Sequence, residues 1–201
     1  MQSGENYQVC VPSTGEELDW VELYESAFPA AERVPTPELI AMVRAGDCLL
    51  HRTVDTAGKV LCFSTVEVVP RKFELLTYIA TVRHNRSRGV GSAHMKRLLD
   101  ILQEQYPNHL GLFLEIESVK PEVLAQLAPD ACCERRRRLA FYERLGAFRY
   151  DGEYRILSFV PDVGPILAEL VWFERGTDHL EHAQVTGVIR DIYEQCYKVS
   201  P

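Results

Sequence analysis

One stretch near the middle of the chain restricts what it can fold into more than any other. It runs Leu75-Leu76-Thr77-Tyr78-Ile79-Ala80-Thr81-Val82 and continues Arg83-His84-Asn85-Arg86-Ser87-Arg88-Gly89-Val90-Gly91. The first half has the β-branched and aromatic content of a strand. The second half is a short basic loop closing on glycines. From Gly91 onward Met95, Leu98, Leu99, Leu102 and Tyr106 recur at steps of three and four, which predicts one face of an amphipathic helix. A helix entered this way presents its unbonded first amides, and the positive end of its dipole, to a neighbouring anion. Glycine lets that anion come close. Arg83, Arg86 and Arg88 place three guanidinium groups beside those amides, and guanidinium geometry suits phosphate. The alternative is an ordinary βα turn with two glycines. Gly89-Val90-Gly91 lacks the third glycine of a dinucleotide fingerprint, and no Lys-Ser/Thr pair of a nucleotide loop is present. A pyrophosphate carried by another ligand remains.

Composition narrows the class. With 201 residues, 46% of them hydrophobic, the chain can bury a sizeable core as one domain. A net charge of −7 argues against nucleic acid or an anionic membrane surface as partner. The basic clusters at 83–88 and 135–138 stand out against that background. The N-terminal residues lack the build of a signal peptide, and no run reaches the length of a membrane span. Cys10, Cys48, Cys62, Cys132, Cys133 and Cys196 show no zinc-type spacing and read as reduced thiols of a cytoplasmic protein, with no metal expected.

Along the chain, residues 7–11 read as a first strand, and Thr14-Gly15-Glu16-Glu17 as a capping box opening a helix with Trp20, Leu23, Tyr24, Ala27 and Phe28 on one face. Thr36-Pro37 starts a second helix, with threonine as cap and Gly46 closing it. Strands are predicted at 48–53, 59–69, 73–82 and 111–117. In the last of these Leu112, Leu114 and Ile116 face one side, and Phe113, Glu115 and Glu117 the other. Residues 121–127 have a short helical pattern, Pro129-Asp130 reads as a breaker, and 134–146 as a helix. One or two strands follow at 148–158, another at 166–173. Val185, Val188, Ile189, Ile192 and Cys196 mark a terminal helix, packed on a sheet edge or forming a homodimer contact.

Arg86-Ser87-Arg88-Gly89-Val90-Gly91 resembles the Arg/Gln-x-x-Gly-x-Gly/Ala signature of the GCN5-related N-acetyltransferase (GNAT) superfamily, which also follows a strand and opens a helix. Leu139-Ala140-Phe141-Tyr142-Glu143-Arg144-Leu145-Gly146-Ala147-Phe148 is similar to that family's second signature, a helix with a Phe-Tyr pair that ends at a glycine and runs into a strand. The resemblance covers most of residues 7–160. It implies an α/β (α+β) GNAT fold: a central mixed and twisted sheet of six to seven strands flanked by helices, with a splayed strand pair forming an acyl-CoA slot. Residues 1–160 are then the core, and 161–201 a strand and helix completing the same domain.

The activity implied is N-acyl transfer from acyl-CoA, acetyl-CoA by default, to a primary amine by direct attack. A longer acyl chain, a peptide or protein amine as acceptor, and a non-catalytic acyl-CoA-binding module are the alternatives. By the resemblance, coenzyme A is held by Ala80, Thr81, Val82, Arg83, Arg86, Ser87, Arg88, Gly89, Val90 and Gly91, with a backbone amide near 81–83 polarising the thioester. Tyr142 meets the sulfur and protonates the departing thiolate. Glu115, Glu117 or His84 takes the proton from the ammonium. Glu32, Arg33, Tyr78 and Glu115 border the acceptor, which is a polyamine, an amino-sugar, or a lysine or N-terminal amine of a peptide.

Overall fold

The computed structural model describes residues 6–10, 18–30, 33–157, 164–176 and 179–199. They form two compact units, residues 1–68 with 75–106 and residues 69–74 with 107–201. The C-terminal strand and helix belong to the same unit as residues 107–157. The capping box read at 14–17 lies outside the described residues.

In the first unit the strands β1 (Asn6–Cys10), β2 (Cys48–Val54), β3 (Val60–Val69) and β4 (Phe73–Thr81, its first two residues counted with the other unit) lie side by side in that order. β1 and β3 both run antiparallel to β2, with Tyr7 opposite Thr53 and His51 opposite Ser64. The β2–β3 turn is held by Asp55, whose Oδ1 accepts the amides of Ala57 and Lys59, both at 2.9 Å. The helices are α1 (Val21–Ala27), α2 (Thr36–Ala45) and α3 (Val90–Gln105).

Trp20 and Tyr24 are fully covered because α1 turns them onto Phe63 and Tyr78, at centroid distances of 5.6 Å for Trp20–Phe63 and 4.9 Å for Tyr24–Tyr78. Rings buried to this extent each contribute roughly 1.5–3 kcal/mol. α2 departs from expectation at its start. Pro35 is its N-cap, and Thr36 lies one residue inside the helix, where its hydroxyl donates to Glu25 Oε1 at 2.7 Å. Gly46 closes the helix in the left-handed region, as the sequence predicts.

α3 starts at Val90, with Gly89 as N-cap. Met95, Leu98 and Leu102 are buried as the periodicity requires, but His94 shares their face and is fully buried too. Its ring lies between two hydroxyls, with Nδ1 2.9 Å from Thr53 Oγ1 and Nε2 2.8 Å from Ser64 Oγ. The imidazole therefore ties the helix to β2 and β3 and satisfies its own polar atoms.

The second unit is built on β8 (Ile166–Glu174). β5 (Gly111–Glu117) pairs with one side of it, and β6 (Phe148–Arg149) and β7 (Tyr154–Ile156) with the other, all antiparallel. β6 and β7 are two pieces of one strand interrupted at 150–153. Counted so, the described residues contribute seven strands, the upper end of the expected number. Gly111 is obligatory at the start of β5: a Cβ there would lie 2.0 Å from the Phe173 carbonyl oxygen. Phe113 stacks on Trp172 and meets Phe73 edge-on, and Glu74 is buried in a 2.6 Å pair with Arg175.

Helices α4 (Pro121–Leu124) and α5 (Pro129–Arg144) follow β5. Pro129-Asp130 does not break a helix; it opens α5 five residues before the predicted start, since proline in the first turn gives up an amide that has no partner there anyway. α6 (His182–Asp191) begins with a capping box between Glu181 and Gln184, and runs into a π turn at Ile192–Cys196. No helix among the described residues is long and apolar enough to cross a membrane.

Burial drives the ring of His94 down to about 3, with His51 nearby adding to the effect, and burial drives His51 itself to about 4. Both values lie below the unfolded one, so the stability these neutral rings confer is fully present above the unfolded value of about 6.5. It is lost as pH falls toward 4 and then 3, at about 2 kcal/mol per ring by pH 5. Urea unfolding should show stability falling from pH 7 to pH 5, and falling less in His94→Gln. Equal losses in the two proteins would remove His94 as a cause.

Candidate functional site

The basic turn folds as the sequence suggests. After β4 ends at Thr81 the chain makes a 3-10 turn at Arg83–Asn85, then passes through Ser87 and Gly89 at positive φ (61° and 88°) into α3. Among the described residues no side chain caps α3, so its first amides carry no side-chain acceptor. Arg83, Arg88 and His84 are exposed beside it, and Arg86 turns back so that Nε donates to the Thr81 carbonyl at 3.1 Å. The amide of Val82 is committed to Leu61 O at 2.9 Å. Strand alternation therefore turns the amide of Thr81 away from β3. Ala80 is buried behind it.

Between α1 and α2, Val34 is held from both sides. Its amide donates to Tyr78 Oη at 2.9 Å, and its carbonyl accepts Tyr24 Oη at 2.8 Å. Burial raises both phenols, so each stays protonated at any ordinary pH. Arg33 donates to the carbonyls of Glu25 and Phe28 at the end of α1, and its guanidinium lies over the Tyr24 ring at 5.5 Å. The polar atoms of Arg33 and Tyr78 thus shape this loop. Glu32, the other acceptor candidate from the loop, lies outside the described residues.

In the second unit the two carboxylates of β5 have different partners. Glu115 accepts Tyr154 Oη on one oxygen at 2.5 Å and Tyr197 Oη on the other at 2.7 Å. Glu117 pairs with Arg138 on α5. Burial pushes the Glu117 carboxyl up, but Arg138 more than offsets this and holds it below the usual range. That is opposite to the upward shift a general base working near neutrality needs.

Tyr142, one turn beyond Arg138, is buried with its ring 5.0 Å from Phe141 and 6.5 Å from Phe173. Of the arginine run, Arg135 donates to Ser118 O while Arg136 and Arg137 are exposed. The tyrosines at 154, 193 and 197 went unread in the sequence. The only signal was the four-residue spacing of Tyr193 and Tyr197 beside the terminal apolar stripe. Among the described residues no cluster of three or more His, Cys, Asp or Glu is placed to hold a metal ion.

No family model and no curated protein matches the chain. Solved structures do. A GNAT-family acetyltransferase described as such from Bacteroides thetaiotaomicron aligns with TM-score 0.71 at 20% identity, over 97% of this chain and 99% of that one. The ribosomal-protein-S18-alanine N-acetyltransferase of Escherichia coli aligns with TM-score 0.60 at 18% identity, over 87% and 96%. Arabidopsis thaliana NAA60 in complex with acetyl-CoA aligns with TM-score 0.57 at 15% identity, over 85% and 98%. The chain has the α/β fold of the GNAT acetyltransferases.

Arg138→Met leaves Glu117 without its cation. The Glu117 titration midpoint, followed by NMR, should rise, since Arg138 is the main group holding it down. An unmoved midpoint would mean that other groups hold it down.

Proposed function

We propose that this chain is an acyl-CoA-dependent N-acyltransferase, with acetyl-CoA the default donor and a primary amine the acceptor. The observation that carries this reading is the uncapped N-terminus of α3 behind its arginine-rich, positive-φ turn, in a chain with the GNAT fold. Such a turn fits a diphosphate: amides and dipole face the anion, glycine permits close approach, and Arg83 and Arg88 extend from it with their guanidinium groups exposed. Coenzyme A is the diphosphate-bearing cosubstrate, and it supplies the thioester.

The chain's own residues divide the work. Arg83, Arg86, Ser87, Arg88, Gly89, Val90 and Gly91 bind phosphate oxygens. The Thr81 amide donates to the thioester carbonyl, where negative charge grows as the amine attacks. Glu115 receives the acceptor's ammonium group, and its proton leaves to that carboxylate or to water. Glu117, tied down by Arg138, serves less well, and His84 stands exposed on the turn. Tyr142 gives its phenolic proton to the departing thiolate and is restored by the second proton that the nitrogen sheds as the S–C bond is exchanged for an N–C bond.

Thiol release from acyl-CoAs of increasing length, over pooled amines and peptides with mass-spectrometric identification of products, tests the whole reading. Release with no amine at all would overturn it. Tyr142→Phe should lower turnover by at least roughly tenfold with coenzyme A affinity little changed. Unchanged turnover would take Tyr142 out of the mechanism. Gly89→Glu places a carboxylate and a disfavoured backbone where the diphosphate sits, so calorimetry should find coenzyme A binding abolished. Tight binding by that variant would put the site elsewhere.

A further inference from the structure

The turn that enters α3 is tied back to the strand it leaves. The amide of Val82 donates to Leu61 O on β3, and the carbonyl of Thr81 accepts the Nε of Arg86, five residues on. That carbonyl and that amide belong to one peptide group, which is planar and rigid. Held at both ends, the plane cannot swing about the Thr81 Cα. The Thr81 hydroxyl adds a further hold on Cys62 Sγ at 3.4 Å, and Val90, the first residue of α3, packs in one cluster with Leu61 and Cys62. Between them Asn85 N bonds Val82 O and Arg86 N bonds Arg83 O, so the side chain of Arg86 closes a loop that the backbone has already folded. A guanidinium has five N–H donors and spends one on this bond. Arg86 is exposed, which leaves its outer edge open to an anion.

We propose that Arg86 is a positioning residue with two separable tasks: its Nε sets the peptide at the end of β4, and the outer edge of its guanidinium holds a phosphate oxygen of the acyl-CoA. The inference rests on the acyltransferase reading, which gives the Thr81 amide to the thioester carbonyl. That amide lies on the other side of the same Cα, so a swing of the pinned plane would displace it. A donor aimed at developing charge works by being held in place beforehand, and small misplacements are costly. One side chain then aligns the diphosphate with the reacting carbonyl. Substitution separates its charge from its geometry. Gln carries an N–H donor as many bonds from Cα as the Nε of arginine, without the charge. Lys keeps the charge but has a methylene at that position, with its ammonium one bond further out.

The first measurement needs no ligand. Hydrogen exchange of the Val82 amide, followed by NMR on the full chain, should be at least about tenfold faster in Arg86→Lys than in the native protein, and slower in Arg86→Gln than in Arg86→Lys. The second is calorimetry with coenzyme A, and the third steady-state kinetics with acetyl-CoA and the amine that the chain acylates best among spermidine, glucosamine and an N-terminally free peptide. Arg86→Gln should bind coenzyme A about two- to fivefold more weakly than Arg86→Lys, the worth of one exposed ion pair. Arg86→Lys should have the lower kcat, by at least about fivefold relative to Arg86→Gln. The two constants thus rank the variants in opposite orders, which a shared loss of stability does not produce. Equal kcat values, or a kcat that follows the charge, overturn the proposal. Equal coenzyme A affinities overturn it too, as does unchanged Val82 exchange in Arg86→Lys. A native chain that binds no coenzyme A, or releases no thiol with any amine, overturns the acyltransferase reading itself. A working transferase whose two variants rank alike sinks only the role given to Arg86.

Discussion

The first unit depends on where α3 begins and what its first turn is left to bind. A helix end with no side-chain acceptor leaves strong donors facing outward, and in water these are worth little until an anion arrives. Their direction is set well inside the helix. His94, wedged between Thr53 and Ser64, and the buried Met95, Leu98 and Leu102 fix the axis against β2 and β3. A neutral imidazole suits this place because it satisfies two hydroxyls without bringing a charge into the core. The conformational strain of the entry is confined to Ser87 and Gly89, the two positive-φ residues just ahead of α3.

Much of this was legible in the sequence, because periodicity reports burial and glycine reports backbone. The β4–turn–α3 unit, β2 and β3, β5 and the terminal helix all carried such patterns. The misreadings share one physical origin: a polar group took a partner that spacing does not reveal. Thr36 lies inside α2 and gives its hydroxyl to Glu25, His94 sits on an apolar face because two hydroxyls meet it, and Glu117 is matched by an arginine of the 135–138 cluster. Pro129 shows the converse. Read as an end, it is a beginning, since the same missing amide suits either role. Within the candidate site the phosphate turn was visible as a motif, whereas the tyrosines around Glu115 come from β7 and the C-terminal segment, far apart in the chain.

The second unit gives its carboxylates different partners, and buries two of them, Glu74 and Glu169. Glu74 meets Arg175, Glu169 accepts Ser118 and the Val119 amide at the end of β5, Glu117 meets Arg138, and Glu115 accepts the phenols of Tyr154 and Tyr197. Cations neutralise a carboxylate, whereas hydroxyls and amides orient it. Glu74 and Glu117, paired with arginines, and Glu169, bonded to a hydroxyl and an amide, tie strands and turns together.

The break between β6 and β7 bears on how such a protein stays dispersed. β6 and β7 form an outer margin of the second unit's strands, where unpaired backbone groups invite another chain to join. Interrupting that margin after Arg149 leaves two short rungs in place of one long ribbon, and Tyr193 occupies a carbonyl of the second. A stranger strand finds too few consecutive sites to dock, so the irregularity works as a guard against edge-to-edge aggregation.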